Sequence, residues 1–214
     1  MTNRHVLGAQ AKRRGNGFEN ELAKQFSTWS GKQFVRTPGS GSLHWSEELN
    51  ADGDVIAPPS ENFPYLLEAK RYADWTIENL LKNNSYFPKW IAQAVREGQA
   101  TKRVPFLIYR RNGIHAFVTM PYNQNVAKLF KTHIVTSNTY VSEIDASEET
   151  IKALTVTIDE LFTKDYEKAK HWFDKVDWQK QITKSPKKKV KKQDVKDVLA
   201  SLDKLDIWKE DYYV

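Results

Sequence analysis

The stretch GDVIAPPSENFPYLLEAKR, residues 53–71, constrains the fold of this chain more than any other. It holds two short apolar runs, DVIA and FPYLLEAK, and the prolines between them end the first run. We interpret both runs as β-strands. Charged residues are depleted from sheet interiors, yet Asp54 opens the first strand while Glu68 and Lys70 close the second. These charges either cap strand ends that face water or meet at a functional site.

Apolar periodicity elsewhere predicts an α/β architecture. The stretch 17–29 repeats its apolar residues at helical spacing, and a glycine at position 31 ends that helix. We predict a short strand at KQFV, a helix at 90–98, and a hairpin at 104–120 around Asn112-Gly113. A helix at YNQNVAKLF, a strand at THIVTSNTYVSEI and a helical stretch from 148 to about 180 follow. The chain should therefore form a mixed central sheet flanked by helices, with a helical C-terminal extension.

The 214 residues suffice for one domain with an appendage. We predict a core at 1–145, a helical extension at 146–183, a Lys-rich linker at 184–193 and an amphipathic helix at 194–214. Most of the net charge of +6 lies in the linker region, so polyanion binding by the core requires a local basic patch. The tail could bind phosphates, act as a tether, or dock on the core, a second subunit or another protein.

Several classes of site and location are excluded or disfavoured by composition. The chain has no cysteine, which excludes disulfides and thiolate metal sites. Its five histidines show no paired ligand spacing, so a zinc site or a histidine-based nuclease is unsupported. No apolar run approaches the roughly 20 residues of a membrane helix, and the N-terminus lacks the apolar region of a signal peptide. We expect a cytoplasmic protein.

The acidic and basic residues of the stretch 53–71 are of the types that metal-assisted chemistry uses. Side chains alternate along a strand, so Glu68 and Lys70 should share a face, with Asp54 within reach on the neighbouring strand. Carboxylates with only oxygen donors suit Mg²⁺, and a nearby lysine can orient a water or offset charge at phosphorus. These are the groups that metal-assisted phosphodiester hydrolysis requires. The alternative is a surface ion pair on a half-exposed strand.

Five stretches taken together resemble the PD-(D/E)xK nuclease superfamily, and within it archaeal-type Holliday junction resolvases and their phage-encoded relatives. They are RRGNGFENEL, FVRTPGSGS, GDVIAPP with FPYLLEAK, WIAQA and PFLIYRRNG, which cover about residues 11–120 in the family's order. The resemblance implies a restriction-endonuclease-like core. Only the connection between the two acidic strands is longer than in compact archaeal members.

The resemblance also implies roles for individual residues. Metal binding falls to Glu19, Asp54, Glu68 and the carbonyl of Ala69; Lys70 is the active-site lysine, and Gln93 supports the site. Glu21 is the competing choice for the acid of the first helix. It lies two positions further, roughly 200° around the helix, so both glutamates cannot face the metal. Gly15 places Glu19 in the family's register.

Contacts with nucleic acid are predicted at three places. Arg13 and Arg14 lie just before the first predicted helix and either contact phosphate or form a solvated basic end. Backbone amides and hydroxyls of a glycine-serine loop can approach a phosphate closely; this loop comprises Arg36, Gly39, Ser40, Gly41 and Ser42, and its alternative is a simple turn. Trp45 and Trp75, in loop-like regions, are candidates for base stacking.

These observations together predict a Mg²⁺-dependent, structure-selective DNA endonuclease, with Mn²⁺ able to substitute. The resemblance implies a Holliday junction resolvase that acts as a homodimer, whose two sites cut strands of opposite polarity. One alternative is a restriction- or repair-type nuclease of the same fold that cuts ordinary duplex or damaged DNA. The other is a non-catalytic protein that binds DNA or recruits a partner.

Overall fold

The computed structural model describes residues 4–37 and 52–185. The predicted loop residues Gly39, Ser40, Gly41 and Ser42, together with Trp45, lie outside the described residues. The same holds for residues 186–214, which include most of the predicted linker and the whole predicted C-terminal helix. None of the helices in the two described ranges combines the length and hydropathy that a membrane span requires.

The described chain contains both helices and strands. The helices are α1 (Arg4–Ser30), α2 (Ile77–Leu81), α3 (Phe87–Thr101), α4 (Gln124–Ala127), α5 (Ile158–Phe162), α6 (Tyr166–Ala169) and a 3₁₀ helix (Trp178–Gln181). The strands are β1 (Val35–Arg36), β2 (Val55–Ile56), β3 (Tyr65–Arg71), β4 (Val104–Arg110), β5 (Phe117–Pro121), β6 (Ile134–Val141), β7 (Glu148–Thr157) and β8 (Thr183–Lys184).

The strands form one mixed sheet in the order β1-β2-β3-β4-β5-β7-β6, and β8 also pairs with β7. Strands β3 and β4 are parallel, and the other pairs are antiparallel. A parallel pair needs a long crossover, and here α2 and α3 supply it. The predicted α/β class, with a mixed central sheet flanked by helices, is confirmed and is consistent with a restriction-endonuclease-like core.

The two longest helices cover opposite faces of the sheet. Helix α1 packs against β1, β2 and β3, while α3 packs against β3, β4 and β6. Adjacent side chains of β3 reach the two helices in turn: Lys70 bonds to Gln93 on α3, and Arg71 bonds to the carbonyl of Arg14 on α1. Because successive side chains of a strand point to opposite faces, the two helices lie on opposite faces.

The hydrophobic core explains why most of the predicted elements form. Phe18, Leu22 and Phe26 of α1 are buried, as their spacing predicts, and the helix begins earlier than expected, at Arg4. Strand β4 is buried along nearly its whole length, as is usual for a strand covered on both faces. The predicted hairpin at 104–120 is confirmed in β4 and β5, with Gly113 at a φ of 78° in the connecting loop.

The helix prediction for 148–157 is wrong, because this segment is strand β7. Its sequence EETIKALTVT is rich in β-branched residues, and its buried positions alternate at first with exposed ones. Pairing with both β5 and β6 makes it a central strand of the sheet. The short helices of the predicted extension therefore begin only at Ile158.

The predicted start of the linker, at residue 184, falls inside strand β8. Lys184 belongs to β8, and its Nζ lies 2.7 Å from Oδ2 of Asp145. The backbone N–H of Ser185 donates to the carbonyl of Glu148 over 2.9 Å. The sheet therefore holds the chain up to residue 185.

Candidate active site

Strand β3 carries a buried ion pair at its C-terminal end. Nζ of Lys70 donates to Oε1 of Glu68 over 2.5 Å, so the two side chains share one face of the strand, as alternation predicts. Glu68 is only 3% exposed, which excludes the reading of this pair as a surface ion pair. An ion pair removed from water is costly unless hydrogen bonds satisfy its remaining groups. The stability of this pair therefore depends on the hydrogen bonds that neighbouring residues make to it.

Asp54 is held against β3 by the backbone. Gly53 has a φ of +90°, and a Cβ at this position would lie 2.9 Å from the carbonyl oxygen of Leu67. This close approach lets the N–H of Asp54 donate to the carbonyl of Leu67 over 2.8 Å. The Oδ2 atom of Asp54 then accepts from the N–H of Ala69 over 2.8 Å. Asp54 therefore lies beside the Glu68–Lys70 pair, as predicted for adjacent strands.

Gln93 of α3 connects the two charged side chains of β3. Its Oε1 accepts from Nζ of Lys70 over 2.8 Å, and its Nε2 donates to Oε1 of Glu68 over 2.7 Å. These two bonds fix which end of the amide faces which charge. The residue implied by the family resemblance as a support of the site therefore contacts both of its charged members.

Glu97 is part of this network and was missed by sequence reasoning. Its Oε1 accepts from Nε2 of Gln93 over 3.0 Å and from Nη2 of Arg96 over 2.7 Å. The signal was present in the sequence, because residues four apart on a helix are neighbours. An acid one turn after Gln93 on α3 lies on the same side of the helix.

Burial and mutual repulsion perturb both carboxyl groups. The pKa of Asp54 is raised to about 6, mainly by burial. The charges of Glu19 and Glu97 contribute to this rise, and the Ala69 N–H opposes it. Burial also raises the pKa of Glu68 well above its ordinary value, with Asp54 adding repulsion and Lys70 opposing it. Buried acids that resist ionisation together gain most from a nearby cation.

The pKa of Lys70 is raised as well, and for a lysine this favours the charged form. Burial alone would lower the pKa of Lys70, but the charge of Glu68, supported by those of Asp54 and Glu97, outweighs burial and raises it. The side chain is therefore an ammonium at neutral pH in this arrangement. It acts as a donor and a positive charge, not as a base.

Glu19 lies near Asp54 but is held by another partner. The carboxylate is buried, and its Oε2 accepts from Nε of Arg36 over 2.5 Å. Its charge contributes to the raised pKa of Asp54. Among the described residues, no three His, Cys, Asp or Glu side chains are close enough to hold a metal ion.

Glu21, the competing acid of α1, has a structural role. Its two oxygens accept from both terminal nitrogens of Arg110, over 2.7 and 2.6 Å. The guanidinium of Arg110 also lies 4.7 Å from the ring centroid of Phe18. Bidentate pairing of this kind orients both partners, so Glu21 is committed to fastening α1 to β4.

The donor set around Asp54 fits a hard divalent cation. Each of the two carboxylates has one oxygen held by N–H donors, Oδ2 of Asp54 and Oε1 of Glu68. Within 4–37 and 52–185, no hydrogen-bond donor reaches the second oxygen of either group. Carboxylate and carbonyl oxygens are the ligands that Mg²⁺ prefers, with water completing its shell. The two acids and the adjacent Ala69 carbonyl therefore suit such an ion.

Several arginines lie on the elements that carry this site, and only some were predicted. Arg13 and Arg14 are exposed, but they lie inside α1 and not just before the first helix, so the prediction that they adjoin its N-terminal amides is wrong. The guanidinium of Arg36 bonds to Glu19 and to Oδ1 of Asn16. Two further arginines were missed: Arg71 donates to the carbonyl of Arg14 and to Oδ1 of Asn112, and Arg111 donates to the carbonyl of Trp75. These acceptors are neutral. Within the described ranges, Arg71 and Arg111 therefore form no ion pair, whereas Arg36 does.

The prediction that Trp75 could reach DNA is wrong. Trp75 is 1% exposed and packs edge-on against Phe87 and Tyr109. The loop-like sequence around it hid the fact that its ring fills the space between α3 and β4. A surface aromatic does exist nearby, at Tyr72.

The comparisons with known proteins agree with this geometry. Residues 10–172 match the model of a family described as "Phage putative PDDEXK endonuclease". The chain belongs to this family. The match includes most of α1, Asp54, Glu68 and α3, and it confirms the resemblance to the PD-(D/E)xK superfamily. It names neither a DNA structure nor a metal ion.

The chain is also similar to a curated phage protein. Protein D14 of Escherichia phage T5 is 29% identical over 110 residues, which cover 50% of this chain and 68% of that protein. No solved structure matches the chain. PDDEXK nucleases typically use divalent metals, in keeping with the oxygen donors found at Asp54 and Glu68.

Proposed function

We propose that this protein is a Mg²⁺-dependent endonuclease that cuts branched DNA, in particular four-way junctions, with Mn²⁺ able to substitute. The observation that carries the proposal is the buried pair of carboxylates, Asp54 and Glu68, beside the ammonium of Lys70. Membership of a PDDEXK endonuclease family supports nuclease chemistry at this pair.

The side chains of the site divide the work of metal-assisted hydrolysis. Asp54, Glu68 and the Ala69 carbonyl would hold the ion, and Glu19, whose charge acts on Asp54, adds a further oxygen donor. A bound Mg²⁺ supplies Lewis acidity toward a phosphoryl oxygen and lowers the pKa of a coordinated water. Ionisation of Asp54 and Glu68 is therefore a condition for activity.

Lys70 acts on the charge that develops during hydrolysis. Its ammonium is fixed by Glu68 and Gln93, so it needs no reorientation when a phosphodiester binds. Attack of water builds negative charge on the phosphate oxygens, and a preset positive charge stabilises it. Gln93 maintains this position, because its amide accepts from Lys70 and donates to Glu68.

The basic patch around the site supports DNA as the substrate. Arg71 bonds to the carbonyl of Arg14 and to Asn112, the residue after Arg111, so three arginines lie on the segments joined by these bonds. Guanidinium groups with neutral partners can bind backbone phosphates without first breaking an ion pair. Contacts of this kind carry no base sequence, which favours recognition of DNA shape.

Preference for four-way junctions and assembly as a homodimer rest on the resemblance to junction resolvases. Two copies would place two centres on one junction and cut strands of opposite polarity. We expect the enzyme to act in the cytoplasm of the host cell, where a phage nuclease meets its DNA.

The proposal is tested with a panel of end-labelled DNA: four-way junction, flap, fork, duplex and single strand, each with Mg²⁺, Mn²⁺ or EDTA. We expect metal-dependent cleavage, fastest on the junction, and no cleavage by Asp54→Ala, Glu68→Ala or Lys70→Ala, which still bind DNA. Equal cleavage of duplex would replace the junction preference with a restriction- or repair-type activity. Binding without cleavage under any metal would favour the non-catalytic alternative.

A further inference from the structure

An exposed aromatic ring lies beside the candidate active site. Tyr72 follows β3 two residues after Lys70, so alternation directs its side chain toward the face that carries Glu68 and Lys70. Its N–H donates to the carbonyl of Arg110, which continues the strand pairing. Tyr72 is 44% exposed, although an aromatic residue that follows an apolar strand is usually buried.

The ring of Tyr72 packs against other aromatic residues. Its centroid lies 5.0 Å from that of Tyr86 and 5.3 Å from that of Trp90. Tyr86 stacks on Trp90 with an interplanar angle of 10°, and Trp90 is buried in the core. Trp90 lies three residues before Gln93 on α3, which is close to one helical turn. Both β3 and α3 therefore place this aromatic cluster next to the catalytic one.

The surroundings identify the chemistry of the occupant. On the face of β3 that carries Tyr72, the ammonium of Lys70, two residues earlier, is the positive charge that a phosphate would meet. An exposed flat ring beside a phosphate-binding group matches a nucleotide, whose base stacks on aromatic side chains without regard to sequence. A base inside intact duplex is covered on both faces by its neighbours. Only an unpaired or extruded base can reach the ring.

We propose that Tyr72 is a stacking site for a nucleobase that has left the duplex next to the scissile phosphate. The inference rests on the proposed endonuclease function and makes it more specific. It accounts for selectivity toward branch points, where unpaired or poorly stacked bases occur, by a contact that duplex DNA does not offer.

The test uses two substrates that differ in one feature. One carries 2-aminopurine, a fluorescent base quenched by stacking, unpaired at a branch point; the other carries it in continuous duplex. The full-length chain is compared with Tyr72→Phe, which keeps the ring, and Tyr72→Leu, which keeps apolar bulk alone. Tyr122→Leu removes an aromatic that packs with Lys152 on another part of the sheet and serves as control. Calcium replaces magnesium so that binding is measured without cleavage.

We expect Tyr72→Leu to weaken binding of the branched substrate by about 5- to 150-fold. Fluorescence in its complex should exceed that in the wild-type complex, while duplex affinity is unchanged. Tyr72→Phe and Tyr122→Leu should behave as wild type. Equal affinity and fluorescence for Tyr72→Leu and wild type on the branched substrate would overturn the inference, as would equal losses on both substrates. Wild type that binds and quenches but never cleaves with Mg²⁺ would refute the nuclease proposal instead.

Discussion

The ammonium of Lys70 lies 2.5 Å from Oε1 of Glu68, in a site where the glutamate is almost wholly removed from water. One positive charge therefore faces two buried acids, since Asp54 adds its repulsion to Glu68. Acidic groups outnumber basic ones among these three side chains. A divalent cation would balance them, and this imbalance, more than the presence of any single residue, supports the proposal of a catalytic site.

Removal of the ammonium should abolish catalysis and spare binding. We predict that Lys70→Met lowers the cleavage rate by about 10²- to 10³-fold, because a preset charge at the reacting phosphate is lost. Affinity for DNA should change little, since the basic patch is intact. Single-turnover cleavage and a binding titration measure the two effects. Lys180→Met, at an exposed lysine paired with Asp177, should leave both unchanged; loss of binding by Lys70→Met alone would argue against a catalytic role.

The raised pKa of Asp54 predicts how stability depends on pH. Burial moves the pKa from 3.8 to about 6, so folding favours the protonated form. This contribution is present below about pH 4 and is lost as pH rises through 6, at a cost on the order of 3 kcal/mol in the free energy of unfolding. Without metal, Asp54→Asn should therefore be more stable than wild type at pH 8. At pH 5 this advantage of the variant should be smaller.

Denaturant unfolding in EDTA at the two pH values measures this difference. Mg²⁺ should stabilise wild type at pH 8 by binding the folded state only, and should not stabilise Asp54→Asn. If Asp54→Asn is less stable than wild type at pH 8 in EDTA, the Asp54 carboxylate is stabilised by a partner within the protein and not by a bound cation.

Two glycines should respond to alanine in opposite directions. Gly53→Ala forces a side chain into a φ of +90° and against the Leu67 carbonyl, so we expect a loss of about 1–3 kcal/mol in unfolding free energy, and lower activity because Asp54 moves. Gly17→Ala, in α1 with open space around it, should add about 0.5–1 kcal/mol. Thermal unfolding and cleavage assays test both; a neutral Gly53→Ala would mean that the close approach to β3 is not required.

The two glutamates of α1 should separate by function. Glu19→Gln removes a charge that acts on Asp54 and breaks the ion pair with Arg36, and we predict a loss of activity of at least about 10-fold together with a loss of stability. Glu21→Gln breaks the pairing with Arg110 and should cost about 1 kcal/mol or less of stability with activity retained. If the two variants exchange these effects, the assignment of Glu19 to the site is wrong.

The sequence predicted the site better than the outer parts of the fold. Alternation along a strand placed Glu68 and Lys70 on one face, and the two neighbouring apolar runs placed Asp54 beside them, because these rules depend on local geometry alone. The strand β7 was missed since its pairing with β5 and β6 overrides helical periodicity, and such long-range pairing leaves little trace in a single sequence.

Partners across the fold were equally invisible to the sequence. Nothing near Arg36 indicates that it binds Glu19, seventeen residues away, and nothing near Trp75 indicates that its ring is covered by α3. Tyr72 escaped notice for the converse reason, because an aromatic after an apolar strand is usually buried. Exposure is set by packing between elements, which the one-dimensional pattern does not specify.

The most direct measurement of the central claim is Mg²⁺-dependent cleavage of a labelled four-way junction by wild type and by Asp54→Asn at equal occupancy of DNA. We predict cleavage by wild type that rises with Mg²⁺ and stops in EDTA, and none by the variant at any Mg²⁺ concentration. Cleavage by Asp54→Asn at the wild-type rate, or by wild type without divalent metal, would contradict the account.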